Sequence, residues 1–173
     1  ESRVRIFLMG DNRWLELDEW PPKEIGMKCL YLHEGTGRSD ISLNGGGLSF
    51  CQPTGTEGPD SFTYDPNDPV VSLVPSAWEK RGPMDHRDVE GQMLTYTTDV
   101  LKRDLMVVGQ IKAVLHGLSS ALDTDWVVRL CDVCPDGRSM SVCDGILRAR
   151  YRNSFEQQEF MVPGRVYRFE VAM

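Results

Sequence analysis

The 173-residue sequence predicts an all-β domain, a sandwich or jelly roll, on three observations. Apolar residues almost never recur at the 3.6-residue spacing of an amphipathic helix. Short runs rich in Val, Ile, Leu and Tyr, several of them alternating with polar residues, follow one another along the whole chain. Gly, Pro, Asn and Asp separate those runs at short intervals, the punctuation of a many-stranded antiparallel fold. An apolar content of 40% and this length allow one globular domain with a sizeable core.

Taken in order, "RVRIFLMG" reads as a buried strand. The chain opens on it almost at once, without a basic and apolar leader, which predicts a cut through a longer polypeptide. "CLYLHEG" is a second strand, and "GTGRSDISLNGGG" is turn-rich material after it. "GPDSFTYDPNDPVV" joins a short strand to a Pro-bounded loop, because proline lacks the N–H that a central ladder needs. "QMLTYTT" and "LMVVGQIKAVLHGLSS" carry β-branched residues and alternate in places. "DWVVRLCDV" and "SMSVCDGILRARY" flank "PDG", so Asp136-Gly137 is expected to be the two-residue turn of a hairpin. "RVYRFEVAM" closes the chain as an alternating strand.

That hairpin decides the chemistry of the Cys-x-x-Cys in "RLCDVCPDG". On a strand, side chains alternate faces, so Cys131 and Cys134 point to opposite sides and can neither share a metal nor join each other. A two-residue turn would set Cys131 opposite Val142 and Cys143 opposite Leu130. Zinc would need two further ligands, and the sequence offers no second Cys-x-x-Cys and no His pair. No metal or cofactor is therefore expected. Five cysteines, an odd number irregularly spaced, predict reduced thiols and a cytoplasmic setting.

The formal charge of −7, with no run of Lys and Arg, excludes a nucleic-acid partner. No apolar run approaches the about 18 residues of a membrane span. There is no G-x-S-x-G, H-E-x-x-H, P-loop or G-x-G-x-x-G, so no catalytic residue is expected. His33, His86 and His116 read as structural or exposed; serines are plentiful, but nothing local selects one for a Ser–His–Asp set. "DPNDP" and "DTD" read as turn and capping carboxylates, since the first lacks the Gly and Glu positions of a calcium loop. Of the tryptophans, Trp126 is expected in the core and Trp20, before Pro21-Pro22, as a cover. Trp78, in a polar loop, is the one placed to touch a ligand or partner.

The blocks "DEWPP", "YDPNDPV", "LTYTT", "DTDWVVRL", "PDG" and "DGILRARYR", in this order over nearly the whole chain, resemble the C-terminal domain of the cocaine-esterase / X-Pro dipeptidyl-peptidase family of serine hydrolases. The resemblance implies a galactose-binding-like jelly roll that carries no catalytic residue and is inactive alone. Its partner would be an upstream α/β-hydrolase domain with a Ser–His–Asp triad and a helical cap, cleaving ester or amide bonds such as those of X-Pro peptides, acylated amino acids and aryl esters. The jelly roll would help wall the acyl pocket and meet the small acyl or peptide substrate only indirectly. In the family the loop before "GPxDx" reaches toward that pocket. Here it is "VPSAWEKR", which makes Ala77 and Trp78 the substrate-binding residues. Family domains continue past "VYRFEV" into further strands, so the domain is expected to be incomplete at its C-terminal end, with an open sheet edge that could support a homo-oligomer. Two other readings stand beside this one: a stand-alone carbohydrate- or ligand-binding jelly roll with an exposed aromatic pair on one rim, and a scaffold that oligomerises through a sheet face.

Overall fold

The alternation of the last strand-like run places its large apolar residues on one side, and there Phe169 and Val171 are fully buried. The computed structural model describes residues 3–23, 26–71, 73 and 82–173. Among these residues nine strands are joined by loops, one short α-helical turn and one 3-10 turn, so the expectation of a β fold holds. The strands are β1 (Val4–Leu8), β2 (Arg13–Leu17), β3 (Tyr31–His33), β4 (Gly46–Ser49), β5 (Tyr96–Thr97), β6 (Lys112–Gly117), β7 (Asp125–Val133), β8 (Ser139–Arg148) and β9 (Tyr167–Ala172), with α1 (Arg87–Glu90) between β4 and β5.

The core lies between two antiparallel ladders, β6–β9 and β7–β8. Register pairs Ala113 with Val171, Leu115 with Phe169 and Gly117 with Tyr167. On the facing ladder it pairs Trp126 with Leu147 and Val128 with Gly145. These alternate residues form one apolar cluster with Ala149 and Met161. The Trp126 and Phe169 rings meet with centroids 5.0 Å apart. Burying each large side chain there contributes about 1.5–3 kcal/mol. Gly145 is required by the approach of the two ladders: a Cβ on it would lie 2.1 Å from the Ala172 carbonyl oxygen.

The second sheet, β3–β4–β5, is short, and β4 and β5 run parallel. Buried polar side chains hold it. Ser42 and Asn44 are 3% and 4% exposed. The Thr95 N–H donates to Asn44 Oδ1 (2.9 Å), the Thr95 hydroxyl lies 2.7 Å from Ser42 Oγ, and Asn44 Nδ2 and the Tyr96 hydroxyl both donate to Asp60 Oδ2 (2.9 Å each). Burial, with Asp60 as its hydrogen-bond acceptor, pushes the Tyr96 hydroxyl well above the usual phenol range.

Several expectations need correction. β2 was not foreseen; it pairs with β1 across a turn in which Asn12 takes a left-handed φ of 53°, a conformation Asn tolerates. The glycine run 45–47 is not only turn: Gly46 opens β4, because a Cβ there would fall 2.4 Å from the Tyr96 ring. Residues 58–71 form no strand, and Phe62 and Tyr64 are exposed without a ladder partner. Residues 105–110 likewise stay out of β6. Trp20, expected as a cover, is 45% exposed.

The hairpin turn has three residues, not two. The Cys134 N–H donates to the Arg138 carbonyl and the Gly137 N–H to the Cys134 carbonyl, with Gly137 at φ 84°. A two-residue turn would need Pro135 to donate to Arg138, and proline has no N–H. Leu130 still faces Cys143, but Cys131 faces Ser141, and Val142 is the extra residue of a bulge. All five cysteines are free.

Candidate functional site

Ala77 and Trp78 lie outside the described residues. The residues on either side of their segment, Leu73 and Gly82, both line one cavity of about 180 Å³. Its other walls are Met84, His86, Arg129 and the bulged stretch from Ser141 to Asp144. The sequence "GPMDHR" builds the foot of this site as an extra pairing beside β8. The Ser141 N–H donates to the Met84 carbonyl (3.0 Å) and the His86 N–H to the Ser139 carbonyl (2.8 Å), around a bridge between Asp85 and Met140.

Asp85 fastens this pairing. Its carboxylate accepts the Ser139 N–H (3.0 Å) and two side-chain N–H groups of Arg87, from Nε at 2.9 Å and from Nη2 at 2.7 Å. The Arg87 guanidinium is the main reason its pKa is held down to about 2. Arg87 also reaches the Asp136 carbonyl (3.5 Å), tying the foot to the β7–β8 turn.

His86 is 3% exposed, although its neighbours in sequence are polar. Arg129 Nη1 lies 2.8 Å from its Nδ1. A guanidinium only donates, so Nδ1 is the acceptor and the proton of a neutral imidazole sits on Nε2. Burial first, and the Arg129 charge second, push the His86 pKa down. Arg129 spends a second N–H on Asp144 Oδ2 (3.1 Å). The chain His86–Arg129–Asp144 thus crosses β7 and β8 beneath the cavity, on the ladder face opposite Trp126 and Val128. None of the three was singled out as functional from the sequence, because each needs a partner more than a dozen residues away. The residue signal that could have found Arg129 is a cation at an interior position of a Val- and Leu-rich strand.

Other carboxylates have structural partners, near or far along the chain. Asp65 accepts the Asn67 N–H (2.8 Å), the expected turn role. Asp125 and Arg148 form a two-point ion pair, and Asp123 accepts the Arg150 N–H. Among the described residues no group of three or more His, Cys, Asp or Glu side chains is placed to hold a metal ion. His116 is on the exposed side of β6.

Comparison with known proteins places this geometry. A family model described as the X-Pro dipeptidyl-peptidase C-terminal non-catalytic domain matches residues 1–173. Cocaine esterase of Rhodococcus sp. (strain MB1 Bresler) is 38% identical over 176 residues, which cover 99% of this chain and 30% of the esterase. Among solved structures, an α-amino acid ester hydrolase superposes with a TM-score of 0.79 at 29% identity, over 98% of this chain and 30% of that one. An aminopeptidase from a marine-sediment Thaumarchaeota archaeon superposes with a TM-score of 0.76 at 26% identity, over 99% of this chain and 29% of that one. The chain therefore spans less than a third of the length of these relatives. With the family model matched end to end and the esterase alignment equally complete, the chain belongs to the family of X-Pro dipeptidyl-peptidase C-terminal non-catalytic domains.

Proposed function

We propose that this domain packs on an α/β-hydrolase catalytic domain of its own polypeptide and that the segment 74–81, through Ala77 and Trp78, walls the acyl pocket of that hydrolase. The observation that carries the reading is the cavity flanked by Leu73 and Gly82. Beneath that cavity lie the contacts Asp85–Arg87 and His86–Arg129–Asp144. The substrate class is the small acyl ester or amide, as the printed names of the relatives suggest: cocaine esterase, α-amino acid ester hydrolase, aminopeptidase. The architecture that fits best is a galactose-binding-like jelly roll, and the five free thiols favour a cytoplasmic setting.

The test uses the full-length protein and a series of aryl esters. Trp78→Ala should raise KM several-fold and change kcat less, because a wall residue contributes binding rather than proton transfer. Unchanged KM across the series in both Trp78→Ala and Ala77→Leu would overturn the assignment. One observation favours the ligand-binding alternative: on the β1–β2 hairpin, Phe7 (47% exposed) and Trp14 (56%) meet edge-to-face at 5.3 Å, with Arg5 over the Trp14 ring. The covered Trp14 face and the edge-on Phe7 make it a poorer platform for a sugar ring than two coplanar aromatics would be.

A further inference from the structure

Away from the cavity, β3 and β4 bring a serine, a histidine and a carboxylate into one line. Tyr31 faces Ser49 and His33 faces Gly47, so His33 and Ser49 are diagonal neighbours on one face of the ladder. Gly47 puts no side chain between them. His33 Nε2 lies 2.9 Å from Ser49 Oγ, and His33 Nδ1 lies 3.0 Å from Glu57 Oε1. The other Glu57 oxygen accepts the Glu34 N–H (2.7 Å), and Glu34 in return accepts the Gly58 N–H (2.9 Å). This reciprocal clasp fixes Glu57 against the end of β3.

The proton positions follow from the donor inventory. The hydrogen bond from His33, helped by that from the Glu34 backbone, holds the Glu57 carboxyl below the usual carboxylate range, so it is ionised at neutral pH and can only accept. Nδ1 therefore carries the imidazole proton, Nε2 presents its lone pair, and the Ser49 hydroxyl donates to it at 2.9 Å in preference to the Cys51 carbonyl oxygen 3.3 Å away. The Cys51 N–H donates to the same Oγ (3.1 Å) and orients it further. The His33 and Glu57 side chains are 25% and 31% exposed, and Ser49 is partly exposed beside the open Phe50 and Cys51, so a reagent can reach the group. A hydroxyl in hydrogen-bond contact with a base that a third group orients is the arrangement of an activated nucleophile.

We propose that Ser49 is a base-activated hydroxyl that accepts one acyl or phosphonyl group from an activated ester or fluorophosphonate, with His33 as the base and Glu57 as its positioning carboxylate. Ser49 Oγ forms the bond to the electrophilic carbon or phosphorus, and its proton passes to His33 Nε2. The leaving group departs with its electron pair and takes that proton from the imidazolium, which restores neutral His33. Glu57 stays ionised throughout. The event is a single modification of the chain: the Cys51 N–H serves Oγ itself, and no turnover follows from this arrangement. This accords with a domain of a non-catalytic family and does not depend on the acyl-pocket reading.

The experiment treats the full-length protein with a biotinylated fluorophosphonate and follows the peptide that carries Ser49 by mass spectrometry, so that a reactive serine elsewhere is scored separately. Ser49 should take up label toward one group per chain. The rate should fall at least about a hundredfold in His33→Gln, the lower range for loss of a general base, and should fall in Glu57→Gln as well, with the melting temperature checked for each. An unlabelled Ser49 in folded protein, or a labelling rate indifferent to His33→Gln and to Glu57→Gln, would overturn the proposal.

Discussion

The two ladders around Phe169 and the short sheet β3–β4–β5 are held together by opposite means. In the first, strands of six to ten residues bury apolar side chains at every second position. In the second, strands of two to four residues contribute little apolar burial, and a buried Ser42–Asn44–Thr95–Asp60–Tyr96 network fixes the geometry. Apolar burial is non-directional and tolerates repacking, whereas a hydrogen-bond network works only when every member is satisfied. The first half therefore sets most of the stability, and the second sets position, including the line from Ser49 to Glu57.

The largest break of this comparison comes from the apolar half. Phe169→Ala removes a fully buried ring that touches Trp126 and Tyr167. It should cost about 3–5 kcal/mol, read as a fall in the urea midpoint. In the polar half, Asn44→Ala leaves the Thr95 N–H without its acceptor and Asp60 without one of its donors. It should cost about 2–3 kcal/mol for the stranded groups. Hydrogen exchange should sharpen the distinction: the loss should be concentrated in residues 42–60 and 95–97, while β6 to β9 keep their protection.

The smallest effect is on pH dependence, at the foot of the cavity. His86 has a folded pKa below its ordinary 6.5, so the unfolded chain binds the proton more readily. Its contribution to stability is complete above 6.5 and is lost as pH falls below that value, until folded His86 itself protonates. The wild type should therefore lose more stability between neutral and mildly acid pH than His86→Gln, whose amide oxygen can still accept from Arg129. Parallel melting curves of the two proteins would refute this assignment.

The legibility of the sequence follows the same division. β6, β7, β8 and β9 could be read from alternation because each residue's role depends on its two neighbours along the strand. Gly46 could not: its reason is the Tyr96 ring, fifty residues on, and a glycine run by itself reads as a turn. His86 sits among polar neighbours and is buried only because β8 pairs with its backbone and Arg129 covers it. His33 gave no sign of its partners, since Glu57 and Ser49 belong to a loop and a strand whose approach to β3 is a tertiary fact. The segment containing Ala77 and Trp78 could be marked only by family resemblance.

One small count has a reach beyond its own place. The core requires Trp126 and Val128 to share a face with Leu147, and they pair with Leu147 and Gly145, so paired residue numbers there must have an odd sum. The turn at Pro135 pairs Cys134 with Arg138, an even sum. Val142 is the remainder between the two, and it falls within the cavity wall from Ser141 to Asp144. A chain with a donating residue in place of Pro135 could close the turn in odd phase, and Val142 would then have nothing to absorb. The wall would straighten although no residue lining it had changed. The contour of this cavity is written partly in the parity of a turn outside it.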